Sequence, residues 1–156
     1  GPRSGGSAHA TGSIATSCTD VRFVDTNVLL YAISRAPDEA EKAERANAVL
    51  DAGDLALSVQ VLQELYVQAT RSSRPDAIAH SQAMRLVESL LVYPVAEITT
   101  GLMLAAMGTR ERFRISYWDA AVIEAARSLR CDVVLSEDLG HGQDYGGVRV
   151  VNPFAD

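Results

Sequence analysis

The sequence predicts an α/β protein: a parallel sheet with helices packed on both faces. Two observations carry this expectation. Short apolar runs of strand type alternate with longer stretches of helical periodicity, in the order βαα βαα βαα ββ. The first run, Val21–Val24, also passes without a spacer into Asp25, Thr26 and Asn27, all good helix-capping types. A strand that ends in a carboxylate and turns straight into a helix puts that carboxylate at the carboxyl edge of the sheet, where open α/β sheets bind ligands.

Taken in order, Val21–Val24 is too short for a helix and rich in β-branched and aromatic residues, as a buried strand should be. The run from Val28 is the first helix. Pro37 suits the start of a second, Asp38 and Glu39 its positive end, and Gly53 its stop. Its charged residues face solvent, and Val49 and Leu50 pack inward. Asp54–Ser58 reads as the second strand, and residues 59–70 as a mostly buried helix, apolar at Val59, Leu62, Leu65, Tyr66 and Ala69. After a polar break at 71–75, a helix is expected over 76–90. Residues 91–98 are extended and interrupted by Pro94, which suits a sheet edge. Residues 99–113 form a helix capped by Thr99 and followed by an arginine-rich run, Arg110, Arg112 and Arg114. Ser116 caps the next helix, with Asp119 three residues on, and that helix reaches Arg130. Residues 131–136 are a buried strand that ends in Glu137 and Asp138. A glycine-rich loop then leads to a last strand at 148–151.

The composition bounds the function classes. A chain of 156 residues, 47% hydrophobic and 22% charged, suits one soluble globular domain. No segment approaches the roughly 18 uninterrupted apolar residues of a membrane span, so no membrane partner is expected. A net charge of −6 gives no global basic character and counts mildly against a nucleic-acid partner. A cluster of catalytic acids would lower the total in the same way. Cys18 and Cys131 are far apart, and His9, His80 and His141 are scattered, so neither a disulfide framework nor a zinc site is indicated. The reducing cytoplasm is the expected compartment. Residues 1–17 are small and polar with no apolar signal-peptide segment; they read as a cloning scar or flexible tail, leaving 18–156 as a single domain.

Four acids stand in comparable places. Asp25 follows the first strand, and Asp138 follows the strand at 131–136. Glu64 lies in the helix leaving the second strand, and Asp119 in the first turn of the helix leading into the strand before Asp138. Parallel strands end on one rim, so Asp25 and Asp138 share an edge and the other two lie near it. Taken singly, Asp25 could be a cap and Glu64 a solvated helix residue. Together, such carboxylates would repel one another and raise one another's pKa unless a divalent cation stood between them. An all-carboxylate oxygen site suits Mg2+ or Mn2+. Such an ion can hold a phosphate oxygen and lower the pKa of an attacking water, which is the chemistry of phosphodiester hydrolysis. Thr26, Asn27, Ser116 and Ser136 would add hydrogen bonds around these acids.

The stretches VDTNVLLYA, VLQELYV, SYWDAAVIEAA and LSEDL, in this order and spacing, resemble a PIN domain, and more narrowly the VapC toxins of toxin–antitoxin modules. The similarity runs from Val21 to the NPF near the C-terminus. It implies a Rossmann-like three-layer α/β/α sandwich and an Mg2+- or Mn2+-dependent endoribonuclease. It carries the family's catalytic and metal-binding acids onto Asp25, Glu64, Asp119 and Asp138, with Asp25 and Asp119 the most direct metal ligands. It further implies a homodimer, an RNA substrate and a VapB-like antitoxin lying across the groove. Glu137 and Asp144 compete with Asp138 for the fourth acidic position. Arg110, Arg112 and Arg114 could carry RNA phosphates, or simply balance a helix C-terminus; Arg71 and Arg74 read the same way. Trp118 reads as a packing or dimer residue rather than a base-stacking platform, and His141 as a loop residue.

Rival readings remain. An aspartyl-phosphate phosphatase needs a second Asp where Asn27 stands. A phospho-receiver needs a lysine at the end of a late strand, and the one lysine, Lys42, falls in a surface helix. A PIN ribonuclease of RNA maturation or decay, and a silent RNA- or protein-binding module, share the residues of a toxin and are not separated from it by sequence.

Overall fold

The apolar runs predicted as strands pair into one parallel sheet. A computed structural model of the chain describes residues 21–156. The strands are β1 (Val21–Val24), β2 (Asp54–Ser58), β3 (Val95–Ala96), β4 (Val133–Leu135) and β5 (Arg149–Val151), in the order β3-β2-β1-β4-β5. Every pair is parallel, with Phe23 opposite Ala56 on one side and Val134 on the other. Six helices flank the sheet: α1 (Thr26–Ala32), α2 (Ala40–Asp51), α3 (Val59–Ala69), α4 (His80–Leu90), α5 (Thr100–Phe113) and α6 (Tyr117–Ser128). The result is the expected three-layer α/β/α sandwich.

The strand order explains where a ligand would bind. The chain steps from β1 outward to β2 and β3, then returns to the other side of β1 for β4 and β5. The direction of winding therefore reverses between β1 and β4: the chain leaves β1 toward one edge of the sheet and β4 toward the other. That reversal opens a crevice beyond the carboxyl ends of β1 and β4.

The core closes on both faces of the central strands. Phe23, Val24, Leu57, Val134 and Val150 are fully buried, as are Leu65 of α3 and Ile123 of α6. α6 is the most enclosed helix, buried from Ala120 through Ala126. Within it, Glu124 accepts hydrogen bonds from Thr109 Oγ1 at 2.5 Å and Arg127 Nε at 3.2 Å. The Arg127 guanidinium in turn donates to the carbonyls of Tyr145 and Gly146, both at 2.6 Å. One half-buried ion pair thus fastens the glycine-rich loop between β4 and β5. Gly146 and Gly147 turn there with φ of 67° and 98°, a region that side-chain-bearing residues avoid.

Several boundaries differ from the sequence expectation. The helix expected from residue 76 begins at His80, because Asp76 is engaged elsewhere: its carboxylate accepts from Arg35 N at 2.8 Å and Arg74 Nε at 2.9 Å. The helix expected from Pro37 opens as a 3-10 turn, Pro37–Glu39, before α2 begins. The extended stretch 91–98 keeps only two residues in the sheet, at its edge, as Pro94 requires. The strand at 131–136 shortens to Val133–Leu135, since the amide of Cys131 still closes the turn after α6 by donating to Ala126 O at 2.9 Å. The readings of residues 1–17 and of Cys18 lie outside the described residues.

Phe23 anchors the middle strand in the core, where it is fully buried. Phe23→Ala should lower stability by about 3–5 kcal/mol. Urea denaturation checks this: the midpoint should fall with little change in slope.

Candidate active site

At the end of β1 the ladder continues for one more bond, from Asp25 N to Leu135 O at 2.9 Å, and the chain then enters α1. Asp25 is the N-cap of α1, and its Oδ1 accepts from Thr26 N at 2.8 Å. Its Oδ2 accepts from Ser136 Oγ at 2.8 Å, just past the end of β4. Ser136 is completely buried and also receives the amides of Asp138 and Leu139, at 3.2 and 3.4 Å. A single hydroxyl thereby shapes the turn after β4 and holds the carboxylate that follows β1.

The two residues after Asp25 extend this net. Thr26 Oγ1 donates to Glu64 Oε2 at 2.9 Å, while the amide of Gln60 donates to Glu64 Oε1 at 3.2 Å. Asn27 Nδ2 donates to Asp138 Oδ2 at 3.1 Å and approaches Asp25 Oδ2 at 3.4 Å. Its Oδ1 accepts from Glu137 N at 3.1 Å. Asp25, Glu64 and Asp138 are therefore gathered at the crevice through Thr26, Asn27 and Ser136, the groups that sequence reasoning had placed around them.

Asp119 stands apart from this net. Ser116 caps α6 by accepting from Asp119 N at 3.1 Å. Among the described residues, no side-chain hydrogen bond ties the Asp119 carboxylate to the other three acids. Its charge is felt at buried Tyr145, whose hydroxyl pKa is raised chiefly by burial and next by Asp119. Among the described residues, no three His, Cys, Asp or Glu side chains stand close enough to enclose a metal ion as they are placed.

The two competitors for the fourth position are engaged elsewhere. Glu137 is paired with Lys42 of α2, whose ammonium also donates to the Tyr31 hydroxyl at 3.2 Å. The Glu137 carboxyl pKa is lowered: burial would raise it, and the bonds from Lys42 and Tyr31 outweigh that. Asp144 accepts from Gly147 N at 2.6 Å within its own loop. Sequence reasoning missed the Lys42 contact. The sequence put Lys42 in a surface helix, and α2 brings it to the flank of the rim. Its position in the first turn of a helix that starts near the rim was the signal. The bond to Glu137 engages this cation rather than leaving it to the neighbouring Asp138.

Arg110, Arg112 and Arg114 do not enter the acid net. Arg110 and Arg114 border a concavity of about 260 Å³ at the end of α5, and Arg114 ends that helix in the left-handed conformation, φ 55°. The Arg112 guanidinium lies 4.7 Å from the centre of the Phe113 ring. His141 is a loop residue, its Nδ1 accepting from Asn152 N at 2.9 Å.

The electrostatics single out Asp25. Burial pushes its pKa from 3.8 up to about 6; the bonds from Ser136 and Thr26 oppose this, and the charges of Asp138 and Glu64 add to it. Its folded pKa therefore lies above its unfolded one, so the fold binds its proton more tightly. Stability is fullest below the unfolded value and declines as pH rises through about 6. At neutral pH and without metal, the strain is about 3 kcal/mol. Asp25→Asn keeps the cap and removes the charge. The substitution should raise the unfolding free energy of metal-free protein by roughly that amount, about 3 kcal/mol, at neutral pH and by little in acid. Chemical denaturation in both buffers checks the sign.

A family model described as "PIN domain" matches residues 22–143. Comparison by sequence with curated proteins returns no match. Among solved structures the chain is similar to a toxin–antitoxin complex from Klebsiella pneumoniae, at 20% identity and TM-score 0.62, over 85% of this chain and 98% of that one. It is also similar to FitAB bound to an IR36 DNA fragment, at 18% identity and TM-score 0.65, over 86% and 96%. A third is Mycobacterium tuberculosis VapC20, a sarcin-ricin loop cleaving toxin, at 17% identity and TM-score 0.58, over 75% and 91%. At these identities the structural likeness is one of fold, and it agrees with the sequence match over most of the chain. The chain belongs to the PIN domain family.

Proposed function

We propose that this PIN domain is a metal-dependent endoribonuclease of the VapC toxin type, with Mg2+ or Mn2+ as cofactor and a VapB-like antitoxin as inhibitor. The observation that carries the reading is the gathering of Asp25, Glu64 and Asp138 at the winding reversal, with Asp25 pushed up to about 6 by burial and neighbouring carboxylates. Carboxylates gathered around the buried Asp25 put it under electrostatic strain that a divalent cation would relieve.

The donor set fits such a cation. It is all oxygen, from carboxylates, and the net approaches through hydroxyl and amide groups rather than closing into a cage. Mg2+ is commonly held by one or two carboxylates and keeps several waters, so an open arrangement suits it. Asp25 and Asp119 would hold the ion directly, with Glu64 and Asp138 completing the pocket. When bound, the ion supplies a water of lowered pKa and a counter-charge for the phosphate. The chain's own groups do the positioning. Ser136 aims Asp25, Thr26 fixes Glu64, and Asn27 fixes Asp138. The carboxylate of Glu64 would take the proton of an attacking water, and Arg110, Arg112 and Arg114 would supply positive charge for flanking RNA phosphates.

The solved relatives support the partner side of this reading: they include toxin–antitoxin complexes, among them DNA-bound VapBC from Salmonella typhimurium. The family's homodimer is likewise carried over as part of the proposal. Among the described residues no helix is long and apolar enough to cross a membrane.

Purified protein incubated with a labelled RNA pool tests the activity. Cutting at discrete sites is expected with Mg2+ or Mn2+ and none with EDTA, and Asp119→Asn and Asp25→Asn should abolish it. Cutting that persists in EDTA, or in both variants, would contradict the proposal. Ser136→Ala, which leaves every acid in place, should weaken metal affinity by about 10- to 100-fold. Isothermal titration with Mn2+ reads that loss separately from cleavage.

A further inference from the structure

We propose that a pocket between α3, the β3–α5 connection and the start of α6 receives one unstacked nucleobase of the substrate strand, beside the phosphodiester that is cut. This rests on the ribonuclease reading above. The pocket has a volume of about 410 Å³ and is bounded by Gln60, Gln63, Glu97, Met103, Tyr117 and Trp118. Apolar walls with a few polar groups at this size are the usual form of a small-ligand site.

One residue links the pocket to the acid net. Gln60 belongs to both, since its amide donates to Glu64. Gln63 directly precedes Glu64, and Trp118 directly precedes Asp119. Two of its walls therefore sit one residue away from two of the four acids.

The chemistry of the walls favours a base. Trp118 is the one tryptophan of the chain and is 64% exposed. Its ring meets Tyr117 at 77° with centroids 5.0 Å apart, so Tyr117 props the indole without stacking over it. Stacking on such a side chain is the common means of holding an unpaired base. The described lining contains no Lys or Arg, so the pocket is not built for a phosphate. It contains one carboxylate, Glu97, and the amide of Gln63, both exposed. A carboxylate accepts from the exocyclic amines of adenine, cytosine or guanine, and uracil has none. The hydrogen-bond complementarity is thus toward an amino-bearing base. This assigns Trp118 to the ligand rather than to packing.

The rival occupant is a second copy of the chain, since Ile98, Leu104 and Met107 are also exposed nearby. Leu104 and Met107, however, do not line the pocket.

The single tryptophan makes the test direct. Its fluorescence is followed in EDTA, without cleavage, as short oligomers of adenylate, cytidylate or uridylate are added. Saturable quenching is expected with the first two, at affinities about tenfold above uridylate. Glu97→Ala should remove that preference and keep the quenching. In the metal-dependent cleavage assay, Trp118→Phe should retain activity, and Trp118→Ala should raise KM about tenfold. Absence of quenching by every oligomer overturns the proposal. So does an emission shift that depends on protein concentration alone, with a mass that halves in Trp118→Ala, because the indole then lies between two copies. Cleavage without quenching overturns the pocket and leaves the nuclease reading standing. Quenching without cleavage in either metal retains the pocket and overturns the nuclease reading.

Discussion

The bond from Ser136 to Asp25 is the constraint on which the rest of the site depends. It joins the residue that follows β1 to the residue that follows β4, across the line where the sheet reverses its winding. Both partners are buried, and the carboxylate also caps the helix that leaves β1. The backbone route of the fold and the position of the acid are therefore one feature. Any displacement of β4 against β1 would move Asp25, the turn carrying Asp138 and the start of α1 together.

From that bond the site grows outward by short steps. Thr26 and Asn27 occupy the first turn of α1 and reach in different directions, one to Glu64 on α3 and the other to Asp138 after β4. Neither side chain is charged, so each can sit among carboxylates without cancelling them. The acids remain a concentrated negative charge held by neutral donors. Lys42 stays at the flank and is paired with Glu137, which keeps a cation close to the rim without joining it to Asp138. The half-buried pair of Glu124 and Arg127 performs a mechanical task at the other end of α6, where it fixes the loop between β4 and β5.

The fold was largely legible in the sequence, and so was the meeting of Asp25, Glu64 and Asp138 through Thr26, Asn27 and Ser136, whereas Asp119 stands apart from them. β1 could be read because a short run with three apolar residues leads directly into a capping cluster, and α6 because Ser116 and a near-continuous apolar face announce it. The polar groups around the acids were legible for the same reason, since Thr26 and Asn27 adjoin Asp25, and Ser136 stands two residues before Asp138. What could not be read depended on contacts between residues distant in the chain. Asp76 fits a helix start by local rules, but Arg35 holds it from 41 positions away. Lys42 and Glu137 are separated by 95 positions, and no local pattern announces their pairing. The exposure of Trp118 is also a property of the assembled surface, since its spacing alone suits a packed helix face.

The central claim is that the acids at the winding reversal form a cation site built on Asp25. The most direct measurement is a titration of metal-free protein with Mn2+, followed by the paramagnetic resonance signal of the free ion. Wild-type protein should suppress that signal at neutral pH, suppression should weaken as the pH falls through about 6, where Asp25 takes up its proton, and Asp25→Asn should lose it. Equal suppression by wild type and variant, or none by wild type, would contradict the account.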